Sequence, residues 1–498
     1  MMHERGKSDS PRVSRNPPNK AAEPGAEAGE RRGLAEGNAV GGTTRRTQRR
    51  GGVSQALDRV RQAARKDRKQ RFTALLHHVY AIERLRAAYA GRNPRASAGI
   101  DGETWQSYGQ TLESNLRDRS GRLQRGAYRA QPVRRAFIPK ADGRPRPLGV
   151  PALEDKLVQR AVVAVLNAIA DTDFLGFSYG FRPGRSPQDA LDALSTGLLT
   201  RKGNWVLDAD LQRFVDTLDH GWVVRFLEHR VGDRRVGRLI QKWLSAGVLV
   251  DGERTGCEVG TVQGGSISPL LANLYLHYGF DRWGQRWRQT QAAGEVIVVR
   301  FADDFVGGFQ YRHEAERFLA ELRARVAQFG LARHPDKTRL LEFGPVADQN
   351  RRGRGPGKPE TFNFLGFTHI WGKKRSGMFT VVRQTIRQRV QAKLQAVKAE
   401  LRRRMHLPIP EQGAYWRSVV GGHIRYFGVP MNGPAIRLFR RAVGRLWRWV
   451  LWRRSQTHRL PWHRMQQHIT RWLPPAPICH PYPLVRLGVV TQGKSRMR

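Results

Sequence analysis

The stretch Glu295-Val-Ile-Val-Val-Arg-Phe-Ala-Asp-Asp-Phe-Val-Gly-Gly-Phe309 limits what this chain can fold into more than any other. Val296 to Val299 is β-branched and stiff, and Phe305 to Phe309 is again apolar with small residues, so the pattern predicts strand, tight turn, strand. Asp303 and Asp304 then sit at the tip of a hairpin with buried flanks. Adjacent carboxylates repel, and a hard divalent cation with oxygen ligands is their natural counter-charge. Taken alone, the pair is better read as ordinary turn chemistry, because Asp is a favoured turn residue. The rest of the chain decides between the two.

A second acidic strand end supplies the first argument. Asn204-Trp-Val-Leu-Asp-Ala-Asp-Leu211 reads as a buried strand in which Asp208 and Asp210 share one face. A buried strand rarely carries carboxylates unless they are paired or bind metal. The second argument is charge. The formal net charge is +46 with pI near 11.5, and a compact chain this basic is expected to meet a polyanion, nucleic acid first and an acidic membrane surface second. The longest apolar run, 161–170, falls short of the roughly 20 residues a spanning helix needs. Two cysteines, Cys257 and Cys479, make neither a disulfide framework nor a four-ligand zinc site. No apolar core follows the N-terminal Met-Met-His-Glu. The expectation is an intracellular protein without a membrane span, cytoplasmic in a bacterium and able to associate with the nucleoid.

In chain order, residues 1–52 have almost no large apolar side chain and read as a disordered basic tail. Phe72, Leu75, Leu76, Val79, Ile82 and Leu85 fall at helical spacing. Tyr128 to Pro151 reads as a basic hairpin with Lys140, Arg144 and Arg146 at its turn, suited to triphosphate or nucleic-acid backbone or simply solvated. Glu154 to Ala170 is a core helix. Gln263-Gly-Gly-Ser-Ile-Ser-Pro269 is a flexible turn opening a helix, with Gln263 exposed beside it. A short strand spans Phe362 to Phe367 after a Gly-rich basic insertion at 351–358. Ile386, Val390, Leu394, Val397 and Leu401 stripe a long helix whose other face carries Arg387, Arg389 and Lys393, and 434–454 is a second helix mixing tryptophans with arginines. With this net charge, a nucleic-acid-facing surface is at least as good a reading as a solvated face.

These blocks, in this order, resemble the group II intron-encoded reverse transcriptase/maturases from about residue 70 to the C-terminus. Phe301-Ala-Asp-Asp304 looks like that family's Tyr-Ala-Asp-Asp box, Leu207 to Asp216 like its first carboxylate box, Gln263 to Pro269 like the box before the hairpin, and His334 to Leu340 like the one after it. Phe364-Leu-Gly-Phe367 is similar to the last palm strand, Ser97 to Trp105 to the block before the fingers, and Arg383 to about Pro430 to the maturase-specific thumb. Any one block is weak evidence; the set in this order is specific.

The resemblance implies an α+β right-hand polymerase, fingers and palm, with a helical thumb/maturase domain. The expected divisions are the tail at 1–52, an N-terminal extension and fingers at 53–200, a palm at 201–372, and the thumb with a basic extension at 373–498. It implies an RNA-directed DNA polymerase with Asp210, Asp303 and Asp304 as catalytic residues, and two Mg2+ ions, Mn2+ substituting, held by them and the Leu211 carbonyl. Lys140, Arg146, Phe214, Val215, Gln263 and Lys337 match positions around the incoming nucleotide, and Arg387, Arg389 and Lys393 fall on the RNA-binding thumb. Implied partners are intron RNA, an RNA template with DNA primer, dNTPs, target DNA and a second copy of the chain. Four positions depart from the usual pattern: Val215 replaces an aromatic residue, Val262 a proline, Phe301 a tyrosine and Arg213 a glycine. None removes a carboxylate. The competing expectation is an RNA-binding maturase or domesticated host protein with weak or no polymerase activity.

Overall fold

The computed structural model describes residues 45–139, 145–201, 203–212, 214–250, 253–255, 260–261, 264–332, 334, 337–353, 359–454 and 460–486. Among the described residues, helix and sheet are mixed, with three sheets. Strands β1 (Val133–Pro139) and β2 (Pro145–Val150) pair antiparallel, as the hairpin reading required. Later in the chain come β3 (Trp205–Asp210), then the short β4 (Val248–Val250) and β5 (Glu253–Thr255), which extend that hairpin into a sheet of order β2-β1-β4-β5. The acid-bearing sheet runs β6-β7-β3-β8, where β6 is Val296–Phe301, β7 is Asp304–Phe309 and β8 is Arg339–Glu342. The third sheet is β11-β10-β9, from β9 (Phe362–Phe364), β10 (Phe367–Lys373) and β11 (Phe379–Thr385).

Both faces of the acid-bearing sheet are covered, which is why its strands read as nearly unbroken apolar runs. Leu207, Ala209, Val298, Phe305 and Phe309 face one core, shared with the Leu153–Asp173 helix and the Arg312–Ala327 helix. Val206, Ile297, Val299 and Val306 face another, closed by the Pro187–Thr200 helix and by β9 to β11. Each apolar side chain buried this way stabilises the fold by roughly 1.5–3 kcal/mol before entropy is counted. Ser186 starts the Pro187–Thr200 helix with a capping box to Asp189, and Pro187 follows at the first helical position. Four helices, Arg387–Arg403, Ile409–Phe427, Gly433–Trp452 and Trp462–Trp472, enclose a third core around Trp416, Val443, Trp447 and Met465.

Several boundaries differ from the sequence reading. Helix begins at Arg45 within the stretch expected to be tail, while residues 1–44 lie outside the described residues. The helical pattern from Phe72 to Leu85 is two helices, Leu76–Tyr80 and Ile82–Ala90, broken at the extended Ala81; Phe72 instead bridges to Val231. Phe362 to Phe367 is two strands, because Leu365 and Gly366 both adopt positive φ, +47° and +85°, and turn the chain back. The sheet then continues to Thr385, past the expected division at 372, because β11 pairs along the whole of β10.

Candidate active site

The two acidic strand ends meet. Strand β7 pairs antiparallel with β3 so that Asp304 stands directly opposite Asp210, while Asp208 lies opposite Val306. Phe301 pairs with Asp304 across the hairpin, which leaves Ala302 and Asp303 as a two-residue turn. Ala302 holds φ +57°, the left-handed region a non-glycine residue rarely takes. By the pleat's period of two, Asp208, Asp210 and Asp304 share a face with Val206 and Val306. The sheet therefore ends, on that face, in carboxylates.

Like charges placed directly across a strand pair are destabilising, and the electrostatics record it. Loss of hydration, then Asp303, Asp210 and Asp208 in that order, push the Asp304 carboxyl up from its ordinary 3.8 to about 7, against the pull of Lys337. Asp208 rises to about 6 through loss of hydration, with Arg339 opposing and Asp210 adding. Among the described residues, Lys337 and Arg339 answer this charge. Lys337 Nζ pairs with Asp210 Oδ2, and Arg339 lies 3.9 Å from Asp208. Backbone bonds bring the lysine there: His334 N donates to the Asp210 carbonyl at 2.8 Å, and Gln212 N to the Ala332 carbonyl at 2.8 Å.

Among the described residues no three His, Cys, Asp or Glu side chains converge closely enough to hold an ion. Asp210 is turned to Lys337 instead. The donor set nonetheless fits a hard divalent cation: only carboxylate oxygens, on adjoining strand ends.

The other expected site residues fall in two groups. Val215 is half-buried on a short turn, Phe214–Asp216, and its carbonyl accepts from Thr261 N at 2.9 Å. Phe214 beside it is 2% exposed and meets the Tyr275 ring edge-on at 6.2 Å, so its ring is committed to the core. Leu211 likewise turns its side chain into the core. Lys140, Arg213, Val262, Gln263 and the insertion at 354–358 lie outside the described residues; Arg146 pairs through its backbone with Ile138, and its side chain is outside them. Gly264 places the described part of the Gln263 block, 264–269: at φ +114°, any side chain there would collide with the Gly149 carbonyl of β2. That block thus abuts the β1–β2 hairpin. Arg387, Arg389 and Lys393 are all exposed on the Arg387–Arg403 helix, away from the acids in sequence and on a separate element.

Sequence reasoning missed what stands beneath the turn. Arg300, one residue inside β6, is 1% exposed and bonded to Asp281, Asn273, Ser178 and the Ala302 carbonyl. An arginine inside an apolar strand was the available signal.

Residues 138–369 match the reverse transcriptase (RNA-dependent DNA polymerase) family, so the acid-bearing sheet belongs to a reverse transcriptase domain. The chain is 36% identical over 301 residues to protein YkfC of Escherichia coli (strain K12), covering 57% of this chain and 78% of YkfC. It is 32% identical over 299 residues to the group II intron-encoded protein LtrA of Lactococcus lactis subsp. cremoris, covering 59% of this chain and 49% of LtrA. A 91 kDa protein in the cob intron of Schizosaccharomyces pombe is 41% identical over 147 residues, 29% of this chain and 18% of that protein. The chain belongs to the group II intron reverse transcriptase/maturase family. It spans about half the length of LtrA.

Proposed function

We propose that this protein copies RNA into DNA and binds intron RNA to assist splicing and mobility. One observation carries the reading: Asp210 faces Asp304 in register beside Asp303, and both raise the Asp304 pKa at the end of a buried sheet. Nothing in packing rewards that arrangement, whereas cation binding does. Asp210, Asp303, Asp304 and the Leu211 carbonyl would hold two divalent ions, Mg2+ or Mn2+, which when bound activate the primer 3′ oxygen and neutralise the triphosphate. The sheet β2-β1-β4-β5 acts as fingers, Lys140 and Arg146 are the residues that grip the triphosphate, and Gln263 is the residue that meets the incoming sugar. Val215 lies under the incoming sugar. Lys337 keeps Asp210 neutralised between turnovers. The acid-bearing sheet with β9 to β11 is the palm, and the four C-terminal helices are the thumb, presenting Arg387, Arg389 and Lys393 to RNA. Template, primer, dNTPs, target DNA and a second copy of the chain are the partners of this reading.

The test is primer extension on an RNA template by the full chain, with RNA affinity measured on the same preparation. DNA synthesis that Asp304→Ala abolishes while RNA affinity holds supports the proposal. RNA binding with no synthesis by the wild type would favour a maturase without polymerase activity.

A further inference from the structure

Arg300 has five N–H donors, and each meets an acceptor. Nε and Nη2 donate to the two oxygens of Asp281, both at 2.6 Å. Nη2 also donates to Ser178 Oγ at 2.7 Å, and Nη1 to Asn273 Oδ1 at 3.2 Å and to the Ala302 carbonyl at 2.8 Å. The acceptors come from four separate segments: the aromatic loop before the Pro187–Thr200 helix, the Ser268–Leu276 helix, the π-helical turn His277–Asp281, and the acidic hairpin itself. Arg300 is 1% exposed and Asp281 is fully buried.

The aromatic loop is tied in from the other side. Tyr179 N donates to the Arg300 carbonyl and Arg300 N to the Phe177 carbonyl, both at 2.9 Å. Asn273 Nδ2 donates to the Gly180 carbonyl at 2.7 Å, and a side chain at Gly180 would collide with the Ala302 amide. Ala302 is the residue in the left-handed conformation, and Asp303 follows it. A buried ion pair is weak evidence for stability, since apolar replacements of similar volume are often neutral. This one spends a donor on the single carbonyl whose orientation sets the turn.

We propose that Arg300, held by Asp281, is a positioning residue: it fixes the Ala302 peptide and so aims Asp303 and Asp304 at the ions they would share. This role rests on the polymerase reading above, and its effect is on metal affinity, not on the bond-forming chemistry itself. Supporting groups of this kind are typically worth about 10–100-fold in metal affinity.

The experiment uses full-length protein and two variants. Arg300→Met/Asp281→Leu removes both charges together, leaving no uncompensated ion, and Arg300→Lys keeps the charge but loses the fork. Mn2+ binding is measured by electron paramagnetic resonance, alongside thermal melting and the Mg2+ dependence of primer extension. Both variants are expected to bind Mn2+ about tenfold or more weakly and to need correspondingly more Mg2+ for half-maximal synthesis. A merely structural role would lower the melting temperature and leave metal affinity unchanged. Wild-type Mn2+ affinity in either folded variant overturns the proposal. If the double variant does not fold, Arg300→Lys and Ser178→Ala decide it on the same readout. A wild-type protein that binds no Mn2+ would overturn the polymerase reading itself, a result distinct from any difference between wild type and variant.

Discussion

Lowering the pH from about 8 to about 6 should weaken metal binding by the free protein roughly tenfold, because a carboxyl must lose its proton to act as a ligand. Asp304 titrates near 7, raised by lost hydration and by Asp303, Asp210 and Asp208. A group with that pKa is about 90% ionised at pH 8, half ionised at pH 7 and about 9% ionised at pH 6, and apparent affinity scales with the competent fraction. Asp208, near 6, begins to take up its proton in the same range and deepens the loss. The same shift acts on stability. The folded state holds the Asp304 proton up to about 7, and the unfolded chain releases it near 3.8. Asp304 therefore contributes a loss of stability as pH rises from about 4 to about 7, which a divalent ion would reverse; the buried His277, His369 and His423, held down to about 3, about 3 and about 4, contribute a gain over the same range. Mn2+ binding and melting temperature, each measured at pH 6, 7 and 8 on wild type and Asp304→Asn, test the argument. The variant should bind weakly at every pH and gain more melting temperature than the wild type between pH 6 and 7. Metal affinity that is flat from pH 6 to 8 in the wild type would refute it.

Other outcomes follow from particular contacts. Val215→Phe should raise the preference for dNTPs over rNTPs in kcat/KM, because bulk at this half-buried turn excludes a 2′-hydroxyl; with Phe214 held in the core against Tyr275, an unchanged ratio would remove Val215 from the nucleotide site. Reversing the charges of the exposed Arg387, Arg389 and Lys393 together should weaken intron RNA binding more than synthesis on a short template; equal losses would move the RNA surface elsewhere. Trp447→Phe should cost about 1–3 kcal/mol, read in the thermal unfolding transition, because Trp447 Nε1 donates at 2.9 Å to the fully buried Gln412. An unshifted transition would mean that Gln412 finds another partner.

The acids were legible in the sequence because two simple periodicities expose them. A β-branched run broken by small residues marks the hairpin, and the alternation of Asp208 and Asp210 marks a strand end. Their register was not legible, since nothing local says that Asp210 pairs with Asp304 instead of a residue two positions away. The partners of Arg300 were hidden for the same reason: Ser178, Asn273 and Asp281 are 122, 27 and 19 residues away in the chain. Phe214 shows the opposite failure. Sequence position beside Val215 made it a candidate for the nucleotide pocket, but the short turn rotates neighbouring side chains apart, and packing against Tyr275 took the ring. The strand β11 escaped notice because its Val381 and Val382 continue into the helical stripe that starts at Ile386, where period and length give no boundary.

The central claim is that Asp210, Asp303 and Asp304 form a metal-dependent polymerase centre separate from the RNA-binding surface. Primer extension on poly(rA)/oligo(dT), with filter binding of RNA on the same samples, tests it most directly in wild type and Asp303→Ala. The account predicts Mg2+-dependent synthesis by the wild type, its loss by at least about a hundredfold in the variant, and RNA affinity changed by less than about twofold. Synthesis that survives Asp303→Ala, or RNA affinity that falls together with synthesis, would contradict it.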